Sequence, residues 1–448
     1  MKKFLMTICL CLGLSVVASA QEPLKLTLED ALELALSDNP TIKVADLEIE
    51  RYDYVRKQAL SSLYPQVDLS AQYALALRRQ EMAQGLSFGG KNTFNVAGNV
   101  SLPLFVPSVY RQLKMTRTQM EMAVESARAN RIDMIAAVRA AYYNILLAEQ
   151  SLSVLEEAAL TTDRVVKNTE DLFNNGLAAE YDYITARVQR SNLDPQILQV
   201  KNGIEIAKLQ LKMYLSIPEE QEIVVIGSLD GFKEMVLLGT DYEYDIANNT
   251  TIKTLDLQLE LLEHQEKLIQ TTRMPTLAAF AQVSLIGQER SDLGGLLGSM
   301  GGGDVTATAT QSKFWWQCPI SIGAQINIPI FAGLKKTNQI REVRNQRYQL
   351  LLQRDYAEEG IRLQVQQAVN TLLTARTTML ATAETVFQAE RAYDITYTRY
   401  ESGAGTILEL NSAQLSLTQA KLSYSQAIYD YLAAYAEYEK VLGVDCVE

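Results

Sequence analysis

The sequence repeats itself at long range, and that repeat limits what it can fold into. Asn39-Pro40-Thr41-Ile42-Lys43 returns as Asn249-Thr250-Thr251-Ile252-Lys253, and Pro65 returns as Pro275 at the same offset. Leu104-Phe105 after Pro103 returns as Ile330-Phe331 after Pro329, at a larger offset. Gly176 after Leu172-Phe173 returns as Gly403 after Arg399-Tyr400, at nearly that larger offset again. One duplication with an enlarged insertion in the second copy accounts for all four. Each copy then carries the same plan: a helix, two alternating strands, and two very long helices. The first repeat is expected over 21–218, a linker over 219–240 and the second repeat over 241–448.

The N-terminus reads as a secretory signal over 1–20. Lys2-Lys3 give the positive start, Phe4 to Val17 the apolar centre, and Ala18-Ser19-Ala20 the cleavage site. The apolar run is short for a membrane anchor. Net charge is −12. An acidic chain argues against nucleic acid as a partner, and no Lys/Arg run marks an anionic-lipid site. Cys9 and Cys11 leave with the signal. Cys318 and Cys446 remain and are expected as unpaired thiols, because the long helices separate their regions.

Four stretches alternate with period two, near 66–77, 94–105, 276–287 and 319–331. In the first, Val67, Leu69, Ala71, Tyr73, Leu75 and Leu77 face one way and Gln66, Asp68, Ser70 and Gln72 the other. In the fourth, Ile320, Ile322, Ala324, Ile326, Ile328 and Ile330 oppose Ser321, Gln325 and Asn327. Each is about ten residues, the length of a tilted membrane strand. A half-buried soluble sheet shows the same alternation; the export signal and the long helices favour the membrane. Four strands do not close a barrel, since the smallest bacterial examples use about eight. An open edge in lipid leaves backbone groups unpaired, so other copies of the chain are expected to complete the sheet. Leu86 to Asn92 and Ser291 to Ser312 read as flexible outer loops, and Phe314-Trp315-Trp316 as an interfacial aromatic girdle.

Helical hairpins are expected near 108–216 and 334–443. From Tyr110 to Phe173 there is no proline or glycine, and from Lys335 to Tyr400 only Gly360 interrupts. At 1.5 Å per residue each run is roughly 100 Å long, far beyond a globular helix. A 4-3 spacing runs Met134, Val138, Ala141, Ile145 and onward to Phe173. Its counterpart in the second copy, in unbroken register, runs Ile361, Val365, Ala368, Leu372 and onward to Tyr400. Such a period specifies left-handed supercoiled packing. Pro195 should kink the first returning helix, whereas Leu422 leaves the second straight. The turns at Asn174-Asn175-Gly176 and Ser402-Gly403-Ala404-Gly405 offer glycine for a left-handed helix cap.

The start Leu26-Thr27-Leu28-Glu29-Asp30-Ala31-Leu32 followed by Asn39-Pro40, the strand opening Pro65-Gln66, and the turn motifs Gly176…Asp182…Ala186 and Gly403…Thr406…Glu409…Ala413 carry a resemblance. Over essentially the whole mature sequence the chain resembles the TolC-type outer-membrane efflux proteins. The resemblance implies a mainly α homotrimer with a membrane β part: a twelve-stranded barrel, four strands from each chain, joined to a hollow periplasmic α-helical coiled-coil barrel. It implies a periplasmic adaptor and an inner-membrane pump or type I secretion transporter as partners, outer-membrane lipid around the barrel, and no cofactor. It also implies a gated periplasmic mouth with acidic rings and a latch. Glu409 matches the first ring carboxylate, while Ser412 stands where the second would be. Asp182 and Tyr400 match two latch members, and Gly405 replaces the latch arginine. First-turn helix carboxylates that merely face solvent would look the same at Asp182 and Glu409.

Catalysis finds no support in the motifs. His264 is the single histidine and sits among Leu261, Leu262, Glu263 and Glu266, which reads as a helix surface rather than a metal site. No glycine-rich phosphate loop follows a strand. The expected function is the outer-membrane exit duct of an efflux or secretion system. A trimeric autotransporter-like adhesin and a soluble periplasmic coiled-coil scaffold are the alternatives. The adhesin design places its strands once, at the C-terminus, whereas here they occur twice in mid-chain.

Overall fold

The computed structural model describes residues 23–77, 80–81, 87–88, 91–232, 245–289 and 314–444. The signal segment, the whole second outer loop, positions 86, 89 and 90 of the first and Cys446 lie outside the described residues; the first loop is corrected at Ser87–Phe88, which form a strand paired with Gln80–Glu81. The first half runs β1 (Leu24–Leu26), α1 (Leu28–Asp38), α2 (Pro40–Ser61), β2 (Gln66–Leu75), β3 (Gln80–Glu81), β4 (Ser87–Phe88), β5 (Asn92–Phe105), α3 (Pro107–Asn174), α4 (Glu180–Ser191), α5 (Leu193–Leu215) and β6 (Ile223–Val225). The second half runs α6 (Thr250–Thr271), β7 (Thr276–Glu289), β8 (Phe314–Gln317), β9 (Ile320–Asn327), α7 (Lys335–Glu401) and α8 (Ile407–Leu442). The chain divides into two compact units, 1–47 with 124–254 and 354–448, and 48–123 with 255–353. Each unit draws on both halves of the sequence.

The first unit is helical around one short sheet. β1 and β6 pair in parallel, Leu26 opposite Val225. Leu26, Val138, Tyr142, Ile145, Leu211, Leu215, Leu372, Ile428 and Leu432 form its core. Tyr142 is fully buried and its hydroxyl donates to the Ile226 carbonyl at 2.5 Å. Burial pushes that phenol up to about 12. Thr27 and Asp30 close a capping box on α1, and these hydrogen bonds hold the Asp30 carboxyl below its ordinary range.

The duplication persists at the level of single hydrogen bonds. Buried Asn39 donates from Nδ2 to the Tyr214 carbonyl at 2.7 Å and accepts from the Thr41 amide at 2.8 Å. Buried Asn249 does the same with Val441 (2.7 Å) and Thr251 (2.9 Å). Lys43 reaches Asp38 as Lys253 reaches Asn248. Each asparagine therefore starts one helix and ties down the end of a returning one.

Four helices end alike. Gly176, Ser216, Gly403 and Gly443 have positive φ, and each is followed by the 6→1 hydrogen bond of a Schellman cap. Ser216 and Gly443 are the same position in the two copies, yet one has a Cβ in the left-handed region (φ 56°). That conformation costs a non-glycine residue roughly 1–2 kcal/mol. Ser216→Gly should therefore stabilise the fold by about 0.5–1 kcal/mol after the entropy of the extra glycine is counted. At Gly443 a Cβ would stand 2.5 Å from the Asn248 carbonyl oxygen, so the reverse exchange, Gly443→Ser, should lower the thermal midpoint. Equal responses at the two positions would contradict this account.

Pro195 acts one turn upstream. Lacking an N–H, it leaves the Ser191 carbonyl without its helical donor, and the helix is interrupted at Asn192. Asn192 keeps right-handed helical angles (φ −72°, ψ −17°), so the interruption is local. α8 runs unbroken through Leu422. The two outgoing helices differ in cover. α3 buries Val154, Leu155, Ala158, Ala159, Thr162, Val165 and Thr169. α7 buries no residue between Met379 and its end at Glu401.

The second unit holds the sheet. β2 pairs with β5, β5 with β7, and β7 with β8 and β9, all antiparallel. The strand pair of one half thus joins the strand pair of the other through β5 and β7. The fourth stretch departs from the expected 319–331. It is two strands, β8 and β9, separated at Cys318-Pro319, and pairing stops at Asn327. Pro319 offers no N–H to β7, but its carbonyl still accepts from Ser284 N at 3.0 Å, which keeps the two pieces in line. Pro329 likewise cannot extend the ladder. The first stretch ends at Leu75 rather than 77, and the third runs to Glu289 rather than 287.

Candidate functional site

The strand register sorts side chains into rows across the sheet. Val67, Val100, Ala281 and Ile322 form one row; Leu69, Gly98, Val283 and Ile320 the next; Ala71, Val96 and Leu285 a third. The alternate rows are polar, as in Asp68, Asn99, Gln282 and Ser321. The sheet therefore has one apolar and one polar face, and its own chain leaves the apolar face bare: Leu69 is 80% and Ile322 83% exposed. A shift in register between Pro103 and Phe105 leaves Leu104 unpaired. Phe105 takes its place in the apolar row with Leu277 and Ile326. Phe280 interrupts the polar face by covering Gly323, where a Cβ would come within 2.8 Å of the ring, and Ile286 shares that face opposite Asn95.

The aromatic girdle splits. Phe314 and Trp316 lie with Phe94 and Tyr73 on the apolar face, Phe94 being 5.6 Å from Phe314 and 6.4 Å from Trp316 between ring centroids. Trp316 lies over Gly287, where a Cβ would come within 2.7 Å. Trp315 alternates to the other side and is exposed. Beyond the aromatic row a polar chain closes the face. Tyr73 donates to Asn92 Oδ1 at 2.7 Å, and Asn92 donates to Glu289 at 2.7 Å.

Within the first unit, the two hairpins meet. Val165, Ala186, Ile407 and Leu410 form a small core with Tyr393, Tyr397 and Tyr400 against it. Burial pushes the Tyr393 phenol up to about 12. Thr169 gives its own hydroxyl hydrogen to Val165 (2.7 Å), so its oxygen accepts from Tyr400, 3.1 Å away. Glu409 sits in the first turn of α8, in a capping box with Thr406. Asp182 sits in the first turn of α4, half-buried, and Ser412 is exposed one turn beyond Glu409. Gly176 and Gly403 occupy the left-handed region, but Gly405 does not. Gly405 instead packs tightly on the Arg399–Tyr400 backbone, its hypothetical Cβ 3.1 Å from Tyr400 N.

Sequence reasoning missed Arg399. The position of the expected latch arginine is Gly405, but Arg399 reaches across the same turn. Its Nη2 lies 3.4 Å from the Ala404 carbonyl and 3.9 Å from the Glu409 carboxylate. The available signal was a basic residue in the last turn of a helix, a common pairing with the helix C-terminus. His264 lies 3.3 Å from Glu260 in its own helix, and no cluster of His, Cys, Asp and Glu among the described residues could hold a metal. Cys318 is exposed and free.

The family profile described as "Outer membrane efflux protein" matches residues 31–216 and 245–444. Outer membrane protein TolC of Escherichia coli (strain K12) is 22% identical over 421 residues, spanning 93% of this chain and 81% of TolC. Among solved structures, the outer membrane protein VceC of Vibrio cholerae aligns with a TM-score of 0.70 at 15% identity, over 93% of this chain and 96% of VceC. The CmeC outer membrane channel of Campylobacter jejuni aligns with a TM-score of 0.70 at 17% identity, over 93% and 85%. The two matched segments together take in most of the sequence and nearly every element described above. The chain belongs to the outer membrane efflux protein family: it is an exit duct of the outer membrane, with a large periplasmic helical part and no enzymatic role.

Proposed function

We propose that three copies join edge to edge into one twelve-stranded barrel, continued by their helices as a hollow periplasmic duct. One observation carries this reading: the apolar sheet face is uncovered and both sheet edges are open. Among the described residues β2 pairs with β5 alone, and β8 and β9 with β7 alone. Unpaired backbone in lipid costs several kcal/mol per group, and neighbouring copies remove every edge. From Phe94 to Leu104 the apolar face spans roughly 34 Å of strand, which at a tilt of about 40° fits an apolar band about 25 Å tall. The resemblance to TolC-type channels supports three copies over two. The bare stretch of α7 beyond Met379 is then covered by a neighbour.

In this reading the duct is passive. A periplasmic adaptor and an inner-membrane transporter deliver cargo, and the duct supplies a water-filled path. Asp182, Glu409, Tyr400 and Ser412 sit at its periplasmic mouth, with Arg399 holding the turn beside Glu409. Opening is a small rotation of α4 and α8 about the turns at Gly176 and at Gly403 to Gly405. The lipid-embedded protein should have the mass of three chains and conduct ions; a lone monomer, or an assembly that conducts nothing, would end the proposal. For the mouth, cysteines introduced as Asp182→Cys and Gly405→Cys and then cross-linked should block export. Normal export at complete cross-linking would count against the gate.

A further inference from the structure

Four segments connect the sheet to helices: 54–65, 105–120, 267–275 and 328–341. The register puts all four at one end of the sheet, since Gln66 pairs with Ser101, Leu277 with Phe105, and Thr276 with Asn327. Together they hold ten Lys or Arg and no Asp or Glu, in a chain of net charge −12. None has more than two basic residues in succession, so no run stands out in the sequence. The fold gathers them.

Three of the ten pair with a carboxylate in their own helix: Lys57 with Asp53, Arg117 with Glu121 and Lys267 with Glu263. Arg273 and Lys336 fasten the junction itself, donating to Thr337 Oγ1 and to the Thr272 carbonyl. Arg56 is exposed near Asp53, which Lys57 already binds. Arg111, Lys114, Lys335 and Arg341 have no carboxylate partner among the described residues, and Lys114, Lys335 and Arg341 are exposed. On the sheet side of these charges lie bare apolar residues: Leu104, Phe105, Ile328, Ile330 and Phe331. The N-termini of α3 and α7 and the C-termini of α2 and α6 all meet this zone, so the helix dipoles roughly cancel and the side chains set its charge. The order from sheet to helix is therefore apolar surface, then unneutralised cations, which mirrors acyl chains followed by phosphates in a lipid leaflet.

We propose that this basic rim binds the phosphate headgroups of anionic phospholipids in the periplasm-facing leaflet of the outer membrane, an inference that rests on the barrel reading above. The occupant is lipid because the rim continues the apolar face that lipid covers. Unneutralised cations at one level of three packed chains repel each other, and anionic headgroups relieve that. Each basic side chain at a charged membrane surface is worth about fivefold in association.

The test uses the full-length protein in neutral detergent, offered equal amounts of phosphatidylglycerol and phosphatidylcholine, with bound lipids counted by native mass spectrometry. Phosphatidylglycerol should be retained about fivefold or more over phosphatidylcholine. The preference should shrink in about 0.5 M salt and in the variant Arg111→Gln/Lys114→Gln/Lys335→Gln/Arg341→Gln. It should persist in Lys167→Gln/Arg391→Gln, which removes exposed cations elsewhere. Equal retention of both lipids by the wild type, or an unchanged preference in the fourfold variant, would overturn the inference. So would displacement of the lipid by inorganic phosphate, which would mark a free-anion site. Should the fourfold variant fail to insert into phosphatidylcholine vesicles, the salt response of the wild type decides. Failure of the wild type to insert into those vesicles would instead sink the barrel reading, and this proposal with it.

Discussion

Arginine in place of Ile322 should cost about 2–4 kcal/mol per chain and abolish membrane assembly. Ile322 shares a row with Ala281, Val100 and Val67, midway between the aromatic row at Phe94 and the row of Leu277 and Ile326. A charge there lies near the middle of the apolar band, where snorkelling to either interface is hardest. Because every copy carries the substitution, the penalty multiplies on assembly. The neighbouring substitution Ser321→Arg lies on the polar face beside Gln282 and Asn99. It should assemble normally and shift the ion selectivity of the duct. Membrane fractionation and native gels of the two variants read the difference. If Ser321→Arg prevented assembly and Ile322→Arg did not, the faces would be assigned the wrong way round.

The faces were legible because alternation is a local property: each strand states by itself which side is apolar. The repeat was legible for a similar reason, as one constant shift carries Gly176 onto Gly403 and the seam of α3 onto that of α7. What escaped depends on pairings that no local window contains. The interruption at Pro319 follows from which neighbour needs an N–H at that point. Leu104 alternates correctly in sequence, but the register shift puts Phe105 in its row instead. Arg399 is not legible as a turn residue because it lies six residues before Gly405 and reaches Ala404 and Glu409 only when the turn folds back. The basic rim is spread over four segments and emerges only when antiparallel pairing brings their ends level.

The largest stability effect within the helical unit is expected at another pairing of this kind. Arg139 on α3 and Glu439 on α8 form an ion pair and hydrogen bond, their side chains 16% and 15% exposed. They are far apart in sequence, one in each copy of the repeat. Beside them is buried Tyr143, whose phenol is pushed up by burial against the opposing pull of Arg139. Arg139→Met should cost about 3–5 kcal/mol, because it removes the guanidinium paired with the Glu439 carboxylate in a poorly hydrated site. Most of that is the expense of burying a carboxylate whose ion pair is lost rather than the value of the pair. Removing both charges, as Arg139→Met with Glu439→Leu, should restore the thermal midpoint to near wild type or above it. The double-mutant cycle separates the two contributions. The buried Nε of Arg139 makes no hydrogen bond, which further lowers the net worth of keeping the arginine there. Thermal unfolding at one fixed scan rate in detergent provides the comparison, since membrane assemblies of this size unfold irreversibly. A double variant as unstable as Arg139→Met alone would mean that the arginine stem, and not its charge, holds α3 against α8.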